Sequence, residues 1–189
     1  MRDPGNNPLK AWARDYEEKP FYFLQQSKHG KRLVAWTEEP EQTKRAFYVI
    51  LESLPAVVQV LVKIAVKRTP DNQTLWSRFH GEIDRWQLIK AVQENEKYVF
   101  SDGMHQLCVK DEETGRYLAF DDHSIFFIYE PTAADADLLK SLGFENRYAE
   151  PIYAQPHFQR TDNNSEEMEA KFISDLRLER AHSDLDEES

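Results

Sequence analysis

The sequence predicts an α+β domain, a mostly antiparallel sheet with amphipathic helices packed on it, and three observations lead there. First, Val58, Val60, Val62, Ile64 and Val66 alternate with Gln59, Leu61, Lys63, Ala65 and Lys67. Five β-branched residues at period two suit a pleated, covered surface and make a poor helix. Second, Lys97 to Glu130 breaks into short β-prone runs separated by turn residues. Third, apolar side chains recur at helical spacing in three segments. Two hairpin-rich halves with helices against them make an antiparallel or mostly antiparallel sheet.

In chain order, residues 1 to 7 carry no periodic pattern, and Pro8 can open a short helix that Pro20 stops near Glu18. Phe21 to Gln26 and Arg32 to Trp36 are β-prone runs joined by Ser27, Lys28, His29 and Gly30, the chemistry of a hairpin. Pro40 suits the first turn of a helix over 40–54, where Phe47, Ile50, Leu51 and Leu54 form one stripe before Pro55 stops it. After the valine-rich strand, Thr69 to Asn72 break the chain. Ile83, Trp86, Ile89 and Val92 recur every three residues and predict a helix over about 83–95.

A four-stranded meander is expected next, near 97–101, 104–110, 116–120 and 125–130. Its turns are Asp102-Gly103, Glu113-Thr114-Gly115 and Asp121 to Ser124. The last strand is apolar on both faces, with Ile125, Phe127 and Tyr129 on one and Phe126 and Ile128 on the other, so both faces require cover. Thr132 and Asp135 have capping-box spacing for a helix over 132–142, with Leu138, Leu139 and Leu142 on its apolar side and Gly143 at its end. Phe144 to Arg160 reads as an extended segment over the body. Asn164 with Glu167 can start a last helix on which Met168, Phe172 and Leu176 share a side.

Composition bounds the function classes. The chain has 189 residues, 40% of them apolar, with 11 Phe, 8 Tyr and 4 Trp to fill an interior. Its formal charge is −10, but residues 161–189 hold ten acids and three bases, a net of −7, which leaves −3 for residues 1–160. A near-neutral α+β domain over 1–160 carrying an acidic C-terminal tail over 161–189 is the expected organisation. The densest basic groups are Lys28, Lys31 and Arg32, then Lys63, Lys67 and Arg68. These are too few to neutralise many phosphates, so nucleic acid is not an expected partner. No run approaches the roughly 20 apolar residues of a membrane span, so no membrane partner is expected. The single cysteine, Cys108, excludes an internal disulfide and fits a reducing, cytoplasmic setting. No phosphate loop, dinucleotide turn, nucleophile elbow or zinc-protease motif is present, and no cofactor is expected.

The candidate chemistry is sparse. Asp121, Asp122 and His123 place two hard carboxylates and an imidazole in one loop. They could hold a divalent ion if His80, His105, Glu82 or Asp84 joined them, although Asp residues also serve hairpin turns without any ligand. Cys108 shares the strand parity of Gln106 and Lys110, with His105 on the opposite side, so packing suits it better than catalysis. The aromatic residues Tyr117, Phe120, Phe127 and Tyr129, and the stripe Met168, Phe172 and Leu176, are the expected binding residues. A non-catalytic protein that binds another protein, or itself, through an aromatic sheet face, the acidic tail or both is the leading expectation. A metal-assisted hydrolase and a small-molecule or peptide binding module are the alternatives.

Overall fold

A computed structural model describes residues 19–27, 30–68, 74–101, 104–148 and 165–181. The fold is α+β: a nine-stranded sheet, antiparallel throughout except at one edge, with five helices among the described residues. Strands β1 (Phe21–Ser27) and β2 (Gly30–Trp36) form the first hairpin, and β3 (Val57–Arg68) and β4 (Thr74–Asp84) the second. The meander β5 (His105–Lys110), β6 (Tyr117–Phe120) and β7 (Phe126–Tyr129) lies between them, with β7 beside β2 and β5 beside β3. Two-residue strands β8 (Glu145–Asn146) and β9 (Glu179–Arg180) complete the order β8-β1-β2-β7-β6-β5-β3-β4-β9.

Helices α1 (Pro40–Glu52), α2 (Arg85–Glu94), α3 (Glu96–Ser101), α4 (Ala133–Ser141) and α5 (Ser165–Leu176) all contribute to one core against one face of the sheet. Period two decides which strand residues they meet. Val58, Val60, Val62 and Ile64 of β3, Leu107 and Val109 of β5, and Phe126 and Ile128 of β7 are all buried there. The predicted stripe of α1 is borne out, with Phe47, Ile50 and Leu51 fully buried and Leu54 just past the helix end. Helix α4 begins with the Thr132–Asp135 capping box. It ends with Gly143 at φ 87°, where the Gly143 N–H donates to Lys140 and the Phe144 N–H to Leu139.

Three expectations are corrected. Residues 97–101 form helix α3, not a strand, so the meander has three strands and borrows β3 as its neighbour. Tertiary packing overrides β-propensity here: Tyr98 stacks on His105 at 4.5 Å and meets Phe172 at 5.6 Å, and Phe100 packs edge-on against Phe47. The helix expected over 83–95 starts at Arg85, because Asp84 caps it by accepting from the N–H groups of Trp86 and Gln87, and the residues before it belong to β4. Trp86 is exposed, and the buried side is Leu88, Ile89, Ala91 and Val92. In β3 a register shift between Ala65 and Lys67 interrupts the alternation before Val66.

Helix α5 docks on α2, α3 and β4, burying Phe172 and Leu176. Gly81 permits this, since a Cβ there would sit 3.1 Å from Leu178. The expected helix over 8–18, the Asp102-Gly103 turn, and most of the expected segment 144–160 and of the tail beyond Ala181 lie outside the described residues.

Candidate functional site

The sheet face turned away from the helices is the candidate site, and the strand registers order its side chains into rows. One row runs His80, Leu61, Cys108, Ala119, Phe127, Val34 and Phe23 across seven strands. The next runs Glu82, Gln59, Lys110, Tyr117, Tyr129, Arg32 and Gln25. Toward β1, β2 and β7 this face is a second apolar cluster of Phe21, Phe23, Val34, Ile125 and Phe127, all buried, with Trp36, Ala119 and Tyr129 beside it. The Arg32 guanidinium lies 4.4 Å from the Phe127 ring centre and donates to the Tyr129 hydroxyl at 2.8 Å and to Gln25. Tyr117 and Tyr129 stack at 4.2 Å with an interplanar angle of 10°. Burial, then the neighbouring Tyr129, pushes the Tyr117 phenol well above its usual value, so the Tyr117 ring stays a neutral contact surface.

Toward β3, β4 and β5 the same face opens into a groove of about 350 Å³. Leu61 and Cys108 form its floor, Tyr117 a wall, and Lys63, His80 and Lys110 its polar rim. Through Gln59 and Glu112 it runs on into a recess of about 310 Å³ rimmed by Glu82, Asp111, Glu112 and Glu113. Burial pushes the Cys108 thiol up and outweighs the opposing pull of Lys63, so the nucleophilic thiolate is disfavoured.

Asp121, Asp122 and His123 form the β6–β7 turn at the margin of this face, and their ligand-type atoms lie within 4.8 Å of one another. Their immediate work is local. One Asp121 oxygen accepts from the backbone N–H groups of His123 and Ile125, both at 2.9 Å. His123 Nδ1 lies 3.0 Å from Asp122 and 3.6 Å from Asp121. Those two carboxylates raise the imidazole to about 9, against the smaller opposing effect of burial. Burial alone would raise Asp122, but contact with His123 and with the Gln106 amide brings it below the usual carboxylate value. A ring protonated at neutral pH is an ion-pair partner, and a metal ion must displace that proton to use it.

The structure does not bring the other candidates to this turn. His105 is buried on the helix side, stacked on Tyr98. His80 is exposed on β4, paired with Leu61. Glu82 lies on β4 at the far end of the groove, and Asp84 caps α2. Of the expected binding residues, Tyr117, Phe127 and Tyr129 lie on the open face, whereas Phe120, Phe172 and Leu176 are buried among the helices and Met168 packs against that core. The sequence pattern does not single out the groove residues Leu61, Lys63 and Lys110 as a site. Their parity on the strands was legible, but the pairing of Leu61 with Cys108 depends on β3 lying beside β5. No family model, curated protein or solved structure matches this chain.

Proposed function

We propose that this protein is a non-catalytic interaction module that binds a segment of another protein on the open face of its sheet. One observation carries the reading: all five described helices pack on one face, while the β3–β5 half of the other face presents an apolar-floored groove. Apolar floor with polar rim is the anatomy of a protein-binding surface, and stacked tyrosines give rigid contact area at low entropic cost. The groove leads into an acidic recess, and Lys110 on its own rim is already paired with Glu112, so the fitting occupant is a segment whose apolar anchor lies over Leu61 and whose neighbouring lysine or arginine lies in that recess. The scatter of the histidines and the disfavoured Cys108 thiolate speak for binding over hydrolysis.

Selection of random displayed peptides against the whole protein tests this. Enriched peptides are expected to pair an aliphatic or aromatic residue with basic neighbours and to bind more weakly as salt rises. Leu61→Asp is expected to abolish that binding while the protein stays folded by circular dichroism. Peptides that bind Leu61→Asp as well as the parent, or a selection that enriches nothing, overturn the proposal.

A further inference from the structure

A second recess lies on the helix side, at the edge where β1 and β2 run past the start of α4. It holds about 370 Å³, within the size range of small-molecule sites. Leu33 and Ala136 supply apolar wall, and exposed Leu24 forms the lip. Its charged groups share one sign. Lys31 comes from β2 and Lys140 from the last turn of α4, and no carboxylate stands among the described lining residues of a chain that carries 34 acids. The first residues of α4 also line it, and a helix N-terminus favours negative charge. The one carboxylate of that turn, Asp135, is already matched by Arg116 and by the Thr132 cap.

Tyr22 supplies the independent sign of a ligand. It is 2% exposed, lines the recess, and its buried hydroxyl has no hydrogen-bond partner of acceptable geometry. A buried hydroxyl left unsatisfied is costly, and such groups call for explanation. The nearby Lys140 ammonium feels this phenol, and its pKa is raised first by Asp137 and then by Tyr22, so cation and hydroxyl sit together. Lys140 is exposed, paired with Asp137 at 3.0 Å and neighboured by the Tyr22 hydroxyl, and Lys31 makes no ion pair among the described residues, so both ammoniums can turn toward an incoming anion.

From this we infer that the recess binds a small organic anion, a carboxylate or phosphate head on a short apolar body. The head takes Lys31, Lys140 and the Tyr22 hydroxyl, and the body lies against Leu33 and Ala136. This site is separate from the open face and does not rest on it.

Calorimetric titration of the whole protein with octanoate, phenylacetate and phenyl phosphate, beside octanamide, phenylacetamide and inorganic phosphate, tests the inference. Saturable binding is expected for the organic anions. Binding at least about tenfold weaker is expected for the neutral amides and for the bare head. The two acids against phenyl phosphate decide which head is preferred. Lys31→Met and Lys140→Met are each expected to weaken binding about tenfold. Ala136→Phe should block it by filling the wall without changing charge. Tyr22→Phe gives the sharpest readout: weaker anion binding from a free protein whose melting temperature is unchanged or higher, since the unsatisfied hydroxyl is gone. Absence of binding by all three anions, or affinities that survive both lysine variants and Ala136→Phe, overturns the inference.

Discussion

The two faces of the sheet are built from the same strands and do different work. On β5, Leu107 and Val109 are fully buried beneath the helices, while Gln106, Cys108 and Lys110, which alternate with them, are only half-buried on the other side. On β3, Val58, Val60, Val62 and Ile64 meet the helices, and Gln59, Leu61 and Lys63 line the groove. One face therefore holds the fold together through continuous apolar packing. The other is graded from a closed aromatic cluster near β2 to an open, charged groove near β4. The lesson is that this sheet's packed core and the surface proposed for binding are carried by residues one position apart in sequence.

The largest expected effect tests that division directly. Leu107→Ala should cost about 2–5 kcal/mol, because a fully buried leucine loses its transfer energy and leaves a cavity. Leu61→Ala, on the neighbouring strand but the opposite face, should cost less than about 1 kcal/mol. Urea unfolding followed by far-ultraviolet circular dichroism measures both. Equal costs would mean that the groove floor is part of the core, and the open face would lose its separate role.

How legible this arrangement is from sequence depends on whether a local pattern or a distant partner sets it. Strand β3 and the two-sided strand β7 are legible because side-chain parity alone determines which residue faces where. The α1 stripe and the α4 capping box are legible because each is complete within about ten residues. Strand β4 is not. Ser77 and Gly81 occupy two of its inward positions, so the alternation through Leu75, Phe79 and Ile83 is diluted, and Ile83 instead joins a false helical period with Trp86. Helix α3 is not legible either, since Lys97 to Ser101 has strand-like residues and becomes helical through what Tyr98 and Phe100 touch. At the site, the aspartates' role in the turn was readable as local chemistry. The groove was not, because it exists only once β3 and β5 are neighbours.

Each face also carries an ion-paired cluster, and the helix-side one should be the more costly to break. Arg116 bonds Asp135 and reaches the Ser53 hydroxyl at 3.0 Å, tying the start of β6 to α4 and to the end of α1. Asp135 is 3% exposed and also caps α4. Arg116→Met leaves that carboxylate buried without its cation, which should cost about 3 kcal/mol. Adding Asp135→Asn removes the stranded charge and keeps a capping group, so the double variant should recover part of the loss. A double variant less stable than Arg116→Met alone would show that the cap, and not the ion pair, is what Asp135 chiefly provides.

The open-face cluster should have a smaller effect and a distinct pH signature. His123 is raised from an ordinary 6.5 to about 9 by Asp121 and Asp122, so the folded state binds this proton more tightly than the unfolded chain does. Its contribution is therefore full below about pH 6.5, falls as pH rises through that window, and is gone above about pH 9. For a mostly buried ring the amount is about 1–3 kcal/mol. Urea midpoints at pH 6, 7.5 and 9 should decline in the parent, and His123→Gln should flatten that decline. Titration of the His123 ring proton by NMR should give a midpoint near 9 that moves back toward 6.5 in Asp121→Asn and Asp122→Asn. A midpoint near 6.5 in the parent would leave the ring neutral at physiological pH and free to ligate. The turn would then have to be weighed again as a metal site, and the open face would hold chemistry as well as contact area.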